Sequence, residues 1–238
     1  MKVLKRNVWV VMLVFATSFC ALLNMEVVTK VGEGQRNLEY KIPVYLKVLN
    51  FYDRHYNYAW LVRRLTGELE NDEEKIIKLL AWIVSNIKKQ PESLPVIDDH
   101  VWSVIVRRYG NMGNLNDVFS TLCNYAGVDA FFEVIETDKV YAVVTLARIN
   151  HRWTVIDPSN GAYFRNNKGE LATIEEMKRG DFNVIRVANR NNWNIDYGLM
   201  SEGLSKNISF GRLGIGRANI QSPTNRFLYQ LNQWVLGE

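Results

Sequence analysis

The chain opens with an apolar run, residues 8–23, behind Lys2, Lys5 and Arg6. A polar stretch, VGEGQRN at 31–37, reads as a short linker. From Pro43 to Arg108 the hydrophobic period is helical. Asn71 is placed to cap one helix, with Asp72, Glu73 and Glu74 at its positive end and Ile76, Ile77, Leu80, Ile83, Val84 and Ile87 as its apolar stripe. Asp98 or Asp99 is placed to cap the next, with Val101, Val104 and Ile105 inward. The stretch YGNMGNLNDVFSTLCNYAGV, 109–128, predicts a tight turn entering an amphipathic helix. Leu115, Val118, Phe119, Leu122, Cys123 and Ala126 form its one buried face, and Gly127 ends it. The period then changes. AFFEVIE, VYAVVTLARI and RWTVID are rich in β-branched and aromatic residues and predict an antiparallel meander. TIEEMK predicts a short helix and FNVIRVA a further strand. Residues 189–221 are rich in Asn, Gly and Arg and read as irregular. In SPTNRFLYQLNQWVL, Ser222 and Pro223 start a helix whose apolar face is Phe227, Leu228, Leu231, Trp234 and Val235. Helices first and strands afterwards make an α+β domain, with helices packed on an antiparallel β-sheet. The expected division is an N-terminal membrane segment at 1–30, a domain at 38–188, and an extension at 189–238.

Composition narrows the class. Of 238 residues, 47% are hydrophobic and 23% charged, enough for one domain with a real core. The net charge of +4 is spread along the chain with no basic stripe able to track phosphates, so no nucleic acid is expected as partner. The two cysteines, Cys20 and Cys123, fall on different segments and are not read as a disulfide pair. His55, His100 and His151 stand apart and no CxxC or HExxH occurs, so neither a metal site nor a cofactor is expected. At about 1.5 Å per residue the apolar run measures roughly 24 Å, against a bilayer core of about 30 Å, so a span extends to Met25 or Val28. A cleaved signal peptide, a signal anchor and a buried helix all fit such a run. No A-x-A site follows it, and Phe19 before Cys20 spoils a lipoprotein-type site, which favours the anchor. Residues 8–28 then contact membrane lipid, the basic N-terminus stays cytoplasmic, and the domain is periplasmic or extracellular.

Met112 raises the chemical question, because a helix mouth stabilises a reactive anion and a thioether has no proton to lose. GNMGNLNDVFSTLCNYAGVDA followed by HRWTVIDPSNGAYF resembles the transglutaminase-like superfamily of the papain-like fold, over roughly residues 74–164. The family pattern has a Gly-x-Cys turn at a helix start, a leucine and a glycine at fixed distances, a histidine opening a strand, and a W-x-x-(V/I)-D-P block. The resemblance places the family's cysteine on Met112, its histidine on Tyr141 with Val140 as the near alternative, and its aspartate on Asp157. Asn111, Gly113 and Trp153 are the residues it places along the cleft. Tyrosine, with a pKa near 10, is a poor base at neutral pH, and loss of a nucleophile removes most of a triad's rate. No catalytic residue is therefore assigned.

The resulting expectation is a membrane-anchored, catalytically inactive transglutaminase-like protein. It would bind as a subunit of a membrane-associated assembly with membrane-protein partners, or hold a peptide or glycan in the old cleft. Two alternatives stay open: an active cysteine-type amide hydrolase or acyltransferase of the cell envelope, with Cys123 as nucleophile, and an accessory protein for exported polysaccharide. Tyr52, Tyr56 and Tyr58 read as helix packing, with a sugar-stacking or partner surface as the other reading.

Overall fold

The computed structural model describes residues 2–33, 36–94, 98–188 and 193–207, together with 222, 224, 226, 228, 231 and 232. The first element, α1 (Lys2–Asn24), is an apolar helix whose window Asn7–Asn24 is long and apolar enough to cross a membrane, and none of that window is buried against the rest of the chain. Two strands follow, β1 (Glu26–Glu33) and β2 (Arg36–Pro43), paired antiparallel from Glu26 opposite Pro43 to Glu33 opposite Arg36. Of the expected linker, residues 31–33 and 36–37 are instead the far end of a hairpin, because the β-branched residues of EVVTKV and the alternation of NLEYKI suit a two-stranded ladder. The hairpin brings the chain back, and the Val44 N–H bonds the Met25 carbonyl at 2.9 Å.

Two longer helices come next, α2 (Val44–Thr66) and α3 (Asp72–Asn86). Asn71 caps α3 as expected, accepting the Glu73 N–H. The short helix α4 (Val101–Arg107) is capped by His100, whose ring accepts the Trp102 N–H, rather than by either aspartate. Asp98 lies one step too far out to reach the helix donors and braces the cap instead, accepting from the His100 N–H and from Ser103 Oγ.

The central helix is α5 (Met112–Tyr125). It is buried nearly all round rather than on one face: Asn114, Asn116, Asp117, Ser120 and Thr121 are buried along with its apolar residues. The reason is its surroundings, since α2, α3 and α4 pack on one side and two strands of the sheet on the other. Gly127 ends it in the left-handed region at φ +85°, with the Val128 N–H on the Cys123 carbonyl and the Gly127 N–H on that of Asn124, a Schellman end.

Those strands belong to a five-stranded antiparallel meander, β5 (Ala130–Glu136), β6 (Tyr141–Ile149), β7 (Arg152–Asp157), β8 (Ala162–Arg165) and β9 (Asn183–Arg186), neighbours in chain order. One face carries α5 and the first core, with Ala147, Ile149 and Ile156. The other face carries Phe131, Val144, Leu146 and Val155 under α6 (Ile174–Lys178) and α7 (Tyr197–Asn207). Helix α7 corrects the expected irregular stretch at 189–221. YGLMSEGLSKN holds two glycines and is a weak helix former, but Tyr197, Met200 and Leu204 recur at i, i+3 and i+7 and are buried on the sheet. The glycine-rich run GRLGIGRANI and most of the C-terminal helix lie outside the described residues. At the latter's start the Arg226 N–H bonds the Ser222 carbonyl, and the Arg226 guanidinium lies over the Phe51 ring.

Candidate functional site

The mouth of α5 is held by the residues just before it. A two-residue parallel pairing joins β3 (Lys88–Lys89) to β4 (Tyr109–Gly110), with the Gln90 N–H on the Gly110 carbonyl. Gly110 has no room for a side chain, since a Cβ there would stand 2.8 Å from Cβ of Asn114. Asn111 caps the helix reciprocally with Asn114: each side-chain oxygen accepts the other's backbone N–H, at 2.8 and 3.2 Å. The Arg107 guanidinium reaches Asn114 Oδ1 and the Asp98 carbonyl, fixing the entry from behind. Asn111 and Gly113 therefore flank Met112 at the mouth, both half-buried.

Met112 itself is 8% exposed, and its sulfur accepts the Val143 N–H at 3.1 Å. The sheet explains why that N–H is there to be met. The Thr137 N–H bonds the Val140 carbonyl, and antiparallel alternation then turns both backbone groups of Val143 away from β5. On the β7 side the pairing starts at Thr145 opposite Ile156, so Val143 would stand opposite Pro158, which has no N–H and ends the ladder. Met112 Sδ and Asn116 Nδ2 take the place of the missing strand. Asn116, fully buried one turn into α5, donates to the carbonyls of Met112 and Val143 at 2.9 Å each and to Ser159 Oγ at 3.1 Å. Its Oδ1 accepts the Thr145 hydroxyl at 2.9 Å. Helix, strand and the turn after β7 are thus tied by one amide.

Asp157 ends β7, fully buried, and it faces the other way. Residues opposite each other in a ladder share a face, which puts Asp157 with Val144 on the side of α7. Tyr197 donates its hydroxyl to Asp157 Oδ2 at 2.7 Å. Asn160 adds its backbone N–H to Oδ1 and its side-chain NH₂ to Oδ2. Asn160 also exchanges two bonds with the backbone of Trp193. Burial pushes the Asp157 carboxyl above its ordinary value, against the pull of the Tyr197 and Asn160 donors. Burial and the neighbouring Asp157 charge likewise push the Tyr197 hydroxyl up, so it stays a donor.

Met112, Tyr141 and Asp157 are not hydrogen-bonded to one another. Tyr141 opens β6 on the α5 face, 57% exposed, two residues short of the point where the Met112 sulfur meets the strand. Val140 is buried. Trp153 is not part of this region. It lies on the α7 face at the far end of β7, edge-on to Phe131 with centroids 5.1 Å apart, because its alternation along the strand matches Val155 and not Ile156. Cys123 lies fully buried in the first core, and burial pushes its thiol up, away from thiolate. The histidines are engaged elsewhere: His55 Nδ1 with the Tyr125 hydroxyl at 2.8 Å, His100 at the α4 cap, and His151 in the β6–β7 turn.

Asn116, Ser159, Asn160 and Tyr197 were missed in the sequence. Asn116 offered a signal, a polar residue at i+4 from Met112 in a helix with almost no solvent-facing side. Tyr197 offered none, since its partner is 40 residues away.

Residues 59–158 match the family model of the transglutaminase-like superfamily core. None of the curated proteins matches the chain in sequence. Among solved structures it is similar to one described as a candidate protease of Parabacteroides distasonis ATCC 8503, at 13% identity and a TM-score of 0.37, over 71% of this chain and 41% of that one. A second, described as a candidate cysteine protease of Cytophaga hutchinsonii, aligns at 15% identity and a TM-score of 0.39, over 75% of this chain and 69% of that one. The chain thus spans about two fifths of the first. The match to that family model runs from within α2, across α3, α4 and α5, to the turn after β7.

Proposed function

We propose that this protein is a membrane-anchored, catalytically silent transglutaminase-like domain that works by binding, as a subunit of a membrane-associated assembly. One observation carries the reading. At the helix mouth, where the resemblance puts a nucleophile, the Met112 sulfur is an acceptor for the Val143 N–H, with Asn116 bonded on either side of it. A thioether in that bond is a structural group, not an attacking one. The retained acid has no base to orient, being held by Tyr197 and Asn160 on the opposite face of the sheet. The apolar α1 supports the anchor, with the lysine-bearing end on the cytoplasmic side and the domain outward.

Purification from detergent-solubilised native membranes, followed by mass spectrometry of the chain and its companions, tests this. An intact N-terminus with stoichiometric membrane proteins is the expected result. A solitary, cleaved, soluble chain that reacts with a thiol-directed amide-hydrolase reagent at Cys123 would overturn it.

A further inference from the structure

Helix α2 carries an aromatic stripe that no other element among the described residues covers. Tyr45, Leu49, Tyr52, Tyr56 and Trp60 recur at i, i+4, i+7, i+11 and i+15, one face of the helix. All are exposed, Leu49 by 59%, Tyr56 by 67% and Trp60 by 57%. Tyr58, Leu61, Val62 and Thr66 on the opposite side are buried in the domain. The tyrosines at 52 and 56 are therefore not packing residues, and only Tyr58 is. Five large side chains in one exposed row is more than scattered surface apolarity.

Three observations say what covers the row. The helix starts at the end of the membrane-length segment, because the Val44 N–H bonds the Met25 carbonyl. Its first turns, and the exposed Val28 and Tyr40 of the hairpin beside them, thus stand where α1 leaves the bilayer. The stripe holds no carboxylate, and α2 as a whole sets Lys47, Arg54, Arg63 and Arg64 against one acid, Asp53. Arg64 lies over the Trp60 ring at 5.4 Å. Tyrosine and tryptophan are the residues that settle at headgroup depth, and a basic helix with one apolar face lies along a bilayer surface.

We infer that α2 is a second bilayer contact: the row from Tyr45 to Trp60 lies in the headgroup layer of the membrane that α1 spans and seats the domain on the lipid surface. This rests on the membrane-anchored reading above. The row is about 22 Å long at 1.5 Å per residue, enough to fix the domain's orientation.

The test uses the full chain with Cys20→Ala, its remaining Cys123 being buried. Single cysteines Val14→Cys, Leu49→Cys, Tyr56→Cys and Glu68→Cys are labelled with an environment-sensitive dye. Each is reconstituted in phosphatidylcholine–phosphatidylglycerol vesicles bearing nitroxide lipids. The expected result is deep-nitroxide quenching at 14, at least about twofold shallow-nitroxide quenching at 49 and 56, and none at 68. Trp60 gives an independent reading with no label: the brominated-lipid quenching of the unmodified chain should fall in Trp60→Phe. Quenching at 14 with 49 and 56 as open to aqueous iodide as 68 overturns the inference and leaves the anchor standing. Shielding of 49 and 56 from iodide without lipid quenching, rising with protein density, overturns it in favour of a second copy. No quenching at 14 removes the anchor itself.

Discussion

Met112 occupies its position for two separable reasons, volume and a lone pair, and two substitutions tell them apart. Met112→Leu keeps the volume but leaves the buried Val143 N–H without its acceptor, at a cost of about 1–3 kcal/mol. Met112→Ala also opens a cavity, and about 2–5 kcal/mol is expected. Urea unfolding of the detergent-solubilised chain by circular dichroism reads both, and a Met112→Leu chain as stable as the unaltered one would remove the sulfur's role as acceptor. Asp157 gives a pH signature. Its folded pKa is raised above the unfolded value by burial, so the fold prefers the protonated acid. The stability this contributes is complete below the unfolded pKa, near 3.8, and is lost as pH rises through the folded value. Asp157→Asn should therefore flatten the decline in urea midpoint that the unaltered chain shows on passing upward from pH 4. A parallel decline in both would exclude Asp157 as its source. At this scale the sequence marked positions and not partners: Met112 and Asp157 stand out in the order of motifs, but what each touches is set by Val143 and Tyr197, 31 and 40 residues further on.

Elements were legible where local chemistry and packing agree. The cap at Asn71, the short helix at TIEEMK, and the glycine end of α5 are all written in short stretches that fold as they read. Those decided by the rest of the chain were not: α7 forms because the sheet accepts Tyr197, Met200 and Leu204, and β8 has only four residues. Tyr197→Phe, which removes a hydroxyl from a buried carboxylate, should raise amide exchange across α7 more than across α5. Uniform acceleration would mean that the hydroxyl holds no particular element. The β6–β7 turn offers a gain instead. Asn150 and His151 are both left-handed, at φ 48° and 63°, the two-residue hairpin geometry that favours Asn-Gly. His151→Gly should stabilise by roughly 0.5–1 kcal/mol, seen as a rise in thermal midpoint.

On the scale of the whole molecule, the mean composition says little and the first helix says most. The chain should stay in the membrane pellet through alkaline carbonate extraction, and release into the supernatant would contradict an anchor. The rest was hidden from a reading by period alone. The row on α2 has the spacing of a buried stripe, and only the fold shows that α3 and α5 take the opposite side.

The hairpin between α1 and α2 has a mechanical consequence. Eighteen residues of flexible chain in its place would be a leash, letting the domain roam over roughly 23 Å. Folded as β1 and β2, the same residues leave no slack, since Val44 begins where Met25 ended. With α1 spanning a bilayer, as proposed above, a tilt or rotation of that helix is passed directly to the domain, which is then presented at one height and one heading.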